Sequence, residues 1–379
     1  MKTTQIFFLP EIILQKVLHY KTNFLNPSET FIVRLVQNHV RYKPVALCYR
    51  ERAFTEKLEL YAVPKNGLES WINTAAFHAN MSLPFYDKTL KNIQPAIIHA
   101  HFGYDAYKLT GLANKHKIPL ITSFYGSDVS RLPSEFGWKR RYKKLAALGD
   151  HFIAATDFMK SQLTALGFPR NHISVVRFGL DLKKFKYHEN SPAPQKIMMV
   201  GRMVEKKGFK YAIEALSNLC KIGMNPELNI YGYGPLEQSL KKYSEQLGIS
   251  HSVHFHGYQP IEKIMEALNQ HNIMLVPSTT ASDGDMEGLP NTILEAMAKG
   301  TVVVASKHAA IPEAVIDQET GFLFDEKDID GLTETLKLII EGEYNLNNIR
   351  RNALALVEKQ YSVTRMVEEV ENIYDTIMA

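Results

Sequence analysis

The chain has 379 residues, 45% of them hydrophobic and 22% charged, the balance of a globular protein with room for two or three domains. Net charge is +4, but residues 1–190 carry 27 Lys and Arg against 14 Asp and Glu, whereas residues 191–379 carry 17 against 26. Two cysteines, Cys48 and Cys220, exclude a disulfide framework, and no apolar run approaches the ~20 residues of a membrane span.

Residues 6–14 are apolar but interrupted by Pro10 and Glu11, with no small-residue cleavage site after them. They read as non-signal, and with cysteine usage that fits a reducing compartment the expected location is the cytoplasm. Short apolar strands then alternate with helical patterns. Strands are predicted at Val45–Tyr49, Ala96–Ala100, Leu120–Phe124, Phe152–Ala155, Ile197–Val200, Leu228–Tyr231, Val253–Phe255, Ile273–Val276 and Val302–Ala305. Many are continuous apolar runs, the pattern of parallel strands buried on both faces. Amphipathic helices such as Tyr211–Leu219 and Leu236–Leu247 fall between them. This alternation predicts α/β doubly wound sheets, which bind ligands at the carboxyl ends of their strands.

The polar, proline-bearing stretch Lys183–Gln195 marks the expected boundary. It separates residues 1–184 from residues 196–360. A last helical stretch, Val363–Met378 within residues 361–379, is free to pack on either domain. In the first half, Trp138–Lys144 places five bases and two aromatics in seven residues. Such a segment can dock on an anionic membrane surface or be a solvated helix face. No recognised module accompanies it for nucleic acid.

In the second half, a strand runs into Gly201–Gly208, a glycine-bounded loop carrying Arg202, Lys206 and Lys207. Arg offers a forked donor set and Lys a point charge, a combination suited to a diphosphate, although a solvated surface loop reads the same way. The stretch Asp283–Ala298 places Glu287 in a Gly-rich loop and Glu295 eight positions on, inside an apolar run of helical spacing. Three other glutamate pairs share that spacing, Glu51/Glu59, Glu237/Glu245 and Glu326/Glu334, in ordinary charged stretches. Only the Glu287/Glu295 pair has Pro290, suited to a first helical turn, and the free N–H groups of Asn291 and Thr292 between its members. A helix end that holds phosphate, flanked by two carboxylates, is a plausible way to bind a nucleotide-sugar.

In order, these motifs are G-R-x-x-x-K-K-G at Gly201, Y-G-Y-G-P at Tyr231, V-P-S at Val276, G-D-x-E-G-L-P-N-x-x-L-E-A-M-A-x-G at Gly284 and H-A-A-I-P-E at His308. They resemble the retaining GT4-type glycosyltransferases of GT-B fold. P-S-E-T-F-I at Pro27, H-A-H-F-G at His99, Y-G-S-D at Tyr125 and F-G-L-D at Phe178 resemble its colanic-acid and exopolysaccharide branch.

The resemblance implies two Rossmann-like domains facing each other across a cleft. It implies transfer of a hexose-type sugar from a nucleotide diphosphate sugar to a saccharide or lipid-linked acceptor, at the inner face of the membrane. Glu287 would bind donor-sugar hydroxyls and Glu295 the ribose. Arg202 and Lys207 would hold the diphosphate with Asn291 and Thr292, and Gly201, Gly232, Tyr258, Gly288 and Leu289 would complete the donor site. Ser28, Glu29, His101 and Asp128 would lie in the acceptor cleft. No metal or other cofactor is implied, and the spacing of His and Asp shows no metal-ligand pattern. Tyr125 stands where the family usually has His near the reacting centre; His101, at the end of a predicted strand, could supply an imidazole in its stead or be a packed or solvated histidine. A nucleotide-sugar epimerase of the same architecture and a non-catalytic sugar-binding protein are the rival readings.

Overall fold

The computed structural model describes residues 14–24, 29–51, 58–78, 83–189 and 195–379. Seven parallel strands form the first sheet: β1 (Lys16–Tyr20), β2 (Lys43–Cys48), β3 (Glu59–Ala62), β4 (Ile97–His101), β5 (Leu120–Phe124), β6 (His151–Ala154) and β7 (Ile173–Val175). Their order is β3-β2-β1-β4-β5-β6-β7. Six more parallel strands form the second sheet: β8 (Lys196–Val200), β9 (Glu227–Tyr231), β10 (Val253–Phe255), β11 (Ile273–Val276), β12 (Val302–Ser306) and β13 (Phe322–Phe324). Their order is β10-β9-β8-β11-β12-β13. Both orders reverse direction once, between β1 and β4 and between β8 and β11. That reversal opens a crevice at the carboxyl ends of the strands, where doubly wound sheets hold their ligands.

All nine predicted strands are present, within two residues at each end. Four longer than two residues were not predicted: β1, β3, β7 and β13. β7 and β13 are three residues long, too short for a period to register. β1 reads KVLHY, and its Lys and His hide the fact that His19 is fully buried.

The helix Asn291–Lys299 begins one residue later than Pro290, which serves as its extended N-cap with φ −63°. Its interior packs Ile293, Leu294, Ala296, Met297 and Ala298 into the core of the second sheet. Burying side chains of that size contributes ~1.5–3 kcal/mol for each large one. That anchors the helix end that faces the crevice.

The helix Val363–Met378 packs against the first sheet. Met366, Val367, Val370 and Tyr374 share a buried cluster with Val17, Ile97, Ile121, Ile153 and Val176. The chain crosses between halves beside a return strand pairing, where Leu180 N–H donates to Tyr361 O at 2.7 Å and Val363 N–H donates to Leu180 O at 3.3 Å. Glu313, from the second half, accepts from Asp157 N–H at 3.0 Å and Phe158 N–H at 2.8 Å. Its carboxylate thereby meets the N-terminus of the helix Asp157–Ala165 in the first half.

Candidate active site

Between the two sheets lies an open cavity of about 1000 Å³. Arg202, Lys207, Glu287, Asn291, Thr292 and Glu295 line its second-half wall, with Gly201 and Tyr258. Arg34, Asn38 and Lys183 face them from the other side.

The Gly201–Gly208 loop owes its shape to two close approaches. Gly208 has φ +68°, and a Cβ there would sit 1.8 Å from Pro277 O. Only glycine fits that backbone. Gly232 meets the carbonyl of Gly201, which a Cβ would approach to 2.0 Å. Gly232 therefore fits tightly against the Gly201 loop, and it is not among the residues that line the cavity.

Lys207 Nζ lies 2.9 Å from Glu287 Oε2. Lys206 Nζ lies 3.0 Å from Asp285 Oδ2 and 4.0 Å from Glu287 Oε2. Burial alone would raise the Glu287 carboxyl, but the two ammonium groups outweigh it and hold it below its ordinary value. Glu287 is therefore ionised in this site at neutral pH. Its main chain is fixed from the other side: Glu287 N–H donates to His308 Nε2 at 3.2 Å, so His308 carries its proton on Nδ1, 2.8 Å from Glu326 Oε2. Glu326 also accepts from Thr279 Oγ1 at 2.6 Å and Thr280 N–H at 2.8 Å.

Glu295 is in the opposite condition. Its residue is 8% exposed, and burial raises its carboxyl although the Arg34 guanidinium counters it. Asn291 and Thr292 present the first N–H groups of their helix to the same cavity, and such groups have no partner within the helix.

Residues 182–355 match the family described as Glycosyl transferases group 1, and residues 30–184 match Glycosyltransferase Family 4. AmsK of Erwinia amylovora, an amylovoran biosynthesis glycosyltransferase, is 35% identical over 271 residues, which are 70% of this chain and 66% of AmsK. WcaL of Salmonella typhimurium, a candidate colanic acid biosynthesis glycosyltransferase, is 30% identical over 307 residues, 80% of this chain and 74% of WcaL. The chain belongs to the group 1 and family 4 glycosyltransferases. The matched segment spans just under two thirds of AmsK.

Solved structures share the fold. Anabaena Alr3699/HepE in complex with UDP superposes with a TM-score of 0.76 at 16% identity, over 96% of this chain and all of that one. The lipopolysaccharide outer core galactosyltransferase WaaB gives 0.69 at 19% identity, over 95% and 99%. The architecture is the GT-B one, two Rossmann-like domains across a cleft.

The glycosyltransferase cavity gathers most of the residues expected from sequence, but not all. Leu289 is 5% exposed and packs in the core, and it does not line the cavity. Gly288 faces the Tyr125 carbonyl, 3.8 Å from where a Cβ would stand. Glu29 pairs with Lys21 Nζ at 3.3 Å. Ser28 lies outside the described residues.

Two cleft expectations are corrected. Asp128 is fully buried: it accepts Tyr125 N–H at 3.1 Å, Gly126 N–H at 2.9 Å and Gly103 N–H at 3.1 Å. With three backbone donors on it, its task is to hold the Tyr125 loop. His101 is also fully buried, its Nδ1 bonded to Tyr125 Oη at 2.6 Å and its Nε2 to His19 Nδ1 at 3.0 Å. It reaches the cleft only through Tyr125.

A histidine cluster, not expected from spacing, forms where adjacent strands bring His19, His99 and His101 together, with one nitrogen of each within 4.8 Å of the others. The His-x-His pair at 99 and 101 was the legible half of that signal, since alternate strand residues share a face. Arg34 was missed because it lies on a short helix of the other domain, where nothing nearby in sequence marks it.

The basic segment forms the helix Trp138–Leu148. Lys139, Arg140, Lys143 and Lys144 are exposed, while Tyr142 is buried and Trp138 packs on the core. The aromatics thus serve the interior, and the outward face is basic. Among the described residues, no helix is long and apolar enough to cross a membrane.

Proposed function

We propose that this glycosyltransferase moves a hexose-type sugar, with retention at the anomeric carbon, from a nucleotide diphosphate sugar to a saccharide or lipid-linked acceptor of bacterial surface polysaccharide. The observation that carries this reading is the single cavity lined by Arg202, Lys207, Glu287, Asn291, Thr292 and Glu295. A diphosphate in that cavity meets a guanidinium, an ammonium and a helix N-terminus, with one carboxylate on either side. Tyr258, 70% exposed at the rim, offers a ring on which a base can stack.

In this reading Arg202 and Lys207 stabilise the charge that grows on the leaving diphosphate, the electrostatic contribution that usually dominates such a barrier. Lys207 starts paired with Glu287 and is held there ready for phosphate. Glu287 accepts from donor-sugar hydroxyls, and Glu295 from the ribose. The acceptor attacks from the face the diphosphate leaves, and the departing phosphate oxygen takes its proton. These groups supply the charge that a divalent ion would otherwise carry, so no cofactor is proposed. The working units are residues 1–184 for the acceptor and 196–360 for the donor, with residues 361–379 returning to the first. The likeness to AmsK and WcaL supports polysaccharide synthesis as the setting, and the exposed bases of the helix Trp138–Leu148 suit work at an anionic membrane surface.

The test is nucleotide release from UDP-, GDP- and ADP-sugars, with EDTA present and a membrane lipid extract as acceptor source. Release that depends on extract and disappears in Glu287→Ala supports transfer. Release with an isomerised free sugar and no need for extract points to an epimerase, and no release with no nucleotide binding points to a binding protein.

A further inference from the structure

Arg34 is a guanidinium that the first half sends into the cavity. It lies on the helix Thr30–Gln37 and lines the wall that faces Arg202, Lys207, Asn291 and Glu295. Its Nη1 donates to Gly179 O at 3.2 Å, in the segment where the chain crosses between the halves. The next residue, Leu180, holds that segment to Tyr361 and Val363 through main-chain bonds. One bond thus tethers the guanidinium, which carries five N–H donors.

The charge around Arg34 is not closed. Glu295, from the second half, and Asp181, from the crossing segment, are the carboxylates whose charge reaches it. Among the described residues, neither they nor any other carboxylate forms an ion pair with it. Burial lowers it from its ordinary value, and the two carboxylates counter that. An arginine stays charged across the physiological range, so a half-buried cation stands at the cavity with donors to spare. A planar fork in that position can meet two oxygens of one phosphate, which the point charge of a lysine cannot. In the donor site proposed above, Glu295 takes the ribose, and the first phosphate hangs from that ribose. The part of the donor that comes between Glu295 and Arg34 is therefore the ribose with its phosphate.

We infer, on the strength of that donor site, that Arg34 is a donor-binding residue supplied by the first half, whose fork grips the diphosphate from the wall opposite Arg202 and Lys207. The nucleotide is then held by both halves at once, and its hold reaches the crossing segment through Gly179 O. Two other uses of Arg34 compete with this one: balancing the charge of Glu295, and tethering the crossing segment. Both predict equal effects on ligands with and without phosphate.

Calorimetry of the full chain with UDP, GDP and ADP, in EDTA, finds the diphosphate that the wild type binds. The matching nucleoside is measured by competition against it. Arg34→Gln should weaken the diphosphate roughly 10–100-fold, the scale of hydrogen bonds to a charged group, and leave the nucleoside within about twofold. Equal losses for the two ligands, or an unchanged diphosphate affinity, overturn the assignment. Arg34→Lys keeps the charge and most of the stem but not the fork. It should fall between the wild type and Arg34→Gln, and it decides the matter if the Gln variant does not fold; full diphosphate affinity in Arg34→Lys overturns the role of the fork.

In turnover, Arg34→Gln should raise donor KM by the same factor as it weakens the diphosphate, with acceptor KM within about twofold. A raised acceptor KM beside an intact donor KM would place Arg34 on the acceptor and overturn the assignment. A wild type that binds none of the three diphosphates sinks the donor site itself, and Arg34 falls with it. A wild type that binds one, and an Arg34→Gln that binds it equally well, overturn the role of Arg34 alone.

Discussion

Lys207 Nζ and Glu287 Oε2 stand 2.9 Å apart, joining the loop that follows β8 to the loop that precedes the helix Asn291–Lys299. In the proposed donor site neither loop serves without the other, and the ion pair ties both to the same cavity wall.

Lys207→Ala and Glu287→Ala are each expected to reduce transfer at least ~100-fold, the scale on which a group stabilising transition-state charge is lost. Initial rates at saturating donor measure it. Near-wild-type turnover in either would remove these residues from the chemistry.

Glu295 is buried with its carboxyl raised by that burial, so at neutral pH its charge costs the free protein stability. Glu295→Gln should raise the melting temperature of the unliganded protein and weaken nucleotide binding. Calorimetry with and without UDP-sugar separates the two, and a variant that loses stability as well as binding contradicts this account.

Glu326 holds His308, which in turn accepts the Glu287 N–H. Glu326→Ala should remove about 1–3 kcal/mol of stability, by leaving Thr279 and Thr280 donors unmet. It should also lower kcat more than it changes the nucleotide affinity, because the Glu287 loop is no longer fixed. Chemical denaturation and single-turnover rates read the two effects.

Burial raises the Glu371 carboxyl, but the bonds from His39, Val40 and Arg41 bring it down to about 2 from an ordinary 4.5, a lowered folded value. Its contribution to stability is therefore complete above pH ~5 and is lost as pH falls through about 2; a shift of that size is worth about 3 kcal/mol. Denaturant midpoints measured from pH 6 to pH 2 should fall less steeply in Glu371→Gln than in the wild type. Parallel curves would mean that the carboxylate is not the acid-sensitive group.

Gly208→Ala combines φ +68° with a Cβ 1.8 Å from Pro277 O. Loop strain and a backbone clash together should cost more than about 2 kcal/mol and displace Lys207. A folded, fully active Gly208→Ala protein would show that the loop tolerates another path.

Much of the fold was legible because buried parallel strands are written as unbroken apolar runs. Ile273–Val276 and Val302–Ser306 announce themselves for that reason. β1 did not, since a strand that carries Lys16 and His19 lacks the pattern until its neighbours are known. The proposed donor wall was legible for a local reason: the glycines, Pro290 and both glutamates lie in one short stretch, with loop and helix chemistry side by side.

What the sequence by itself determined was local: strand runs, the glycine-bounded basic loop, the helix end with its two carboxylates, and the family those motifs resemble. Only the tertiary structure decided what meets across the cleft. It brought Arg34 opposite Glu295, buried Asp128 under the Tyr125 loop, and strung Glu371, His39, His19 and His101 into a line ending at Tyr125. The physical reason is that these bonds join residues far apart in the chain. Their partners are set by which strands lie side by side and where the last helix packs, and no local spacing encodes either.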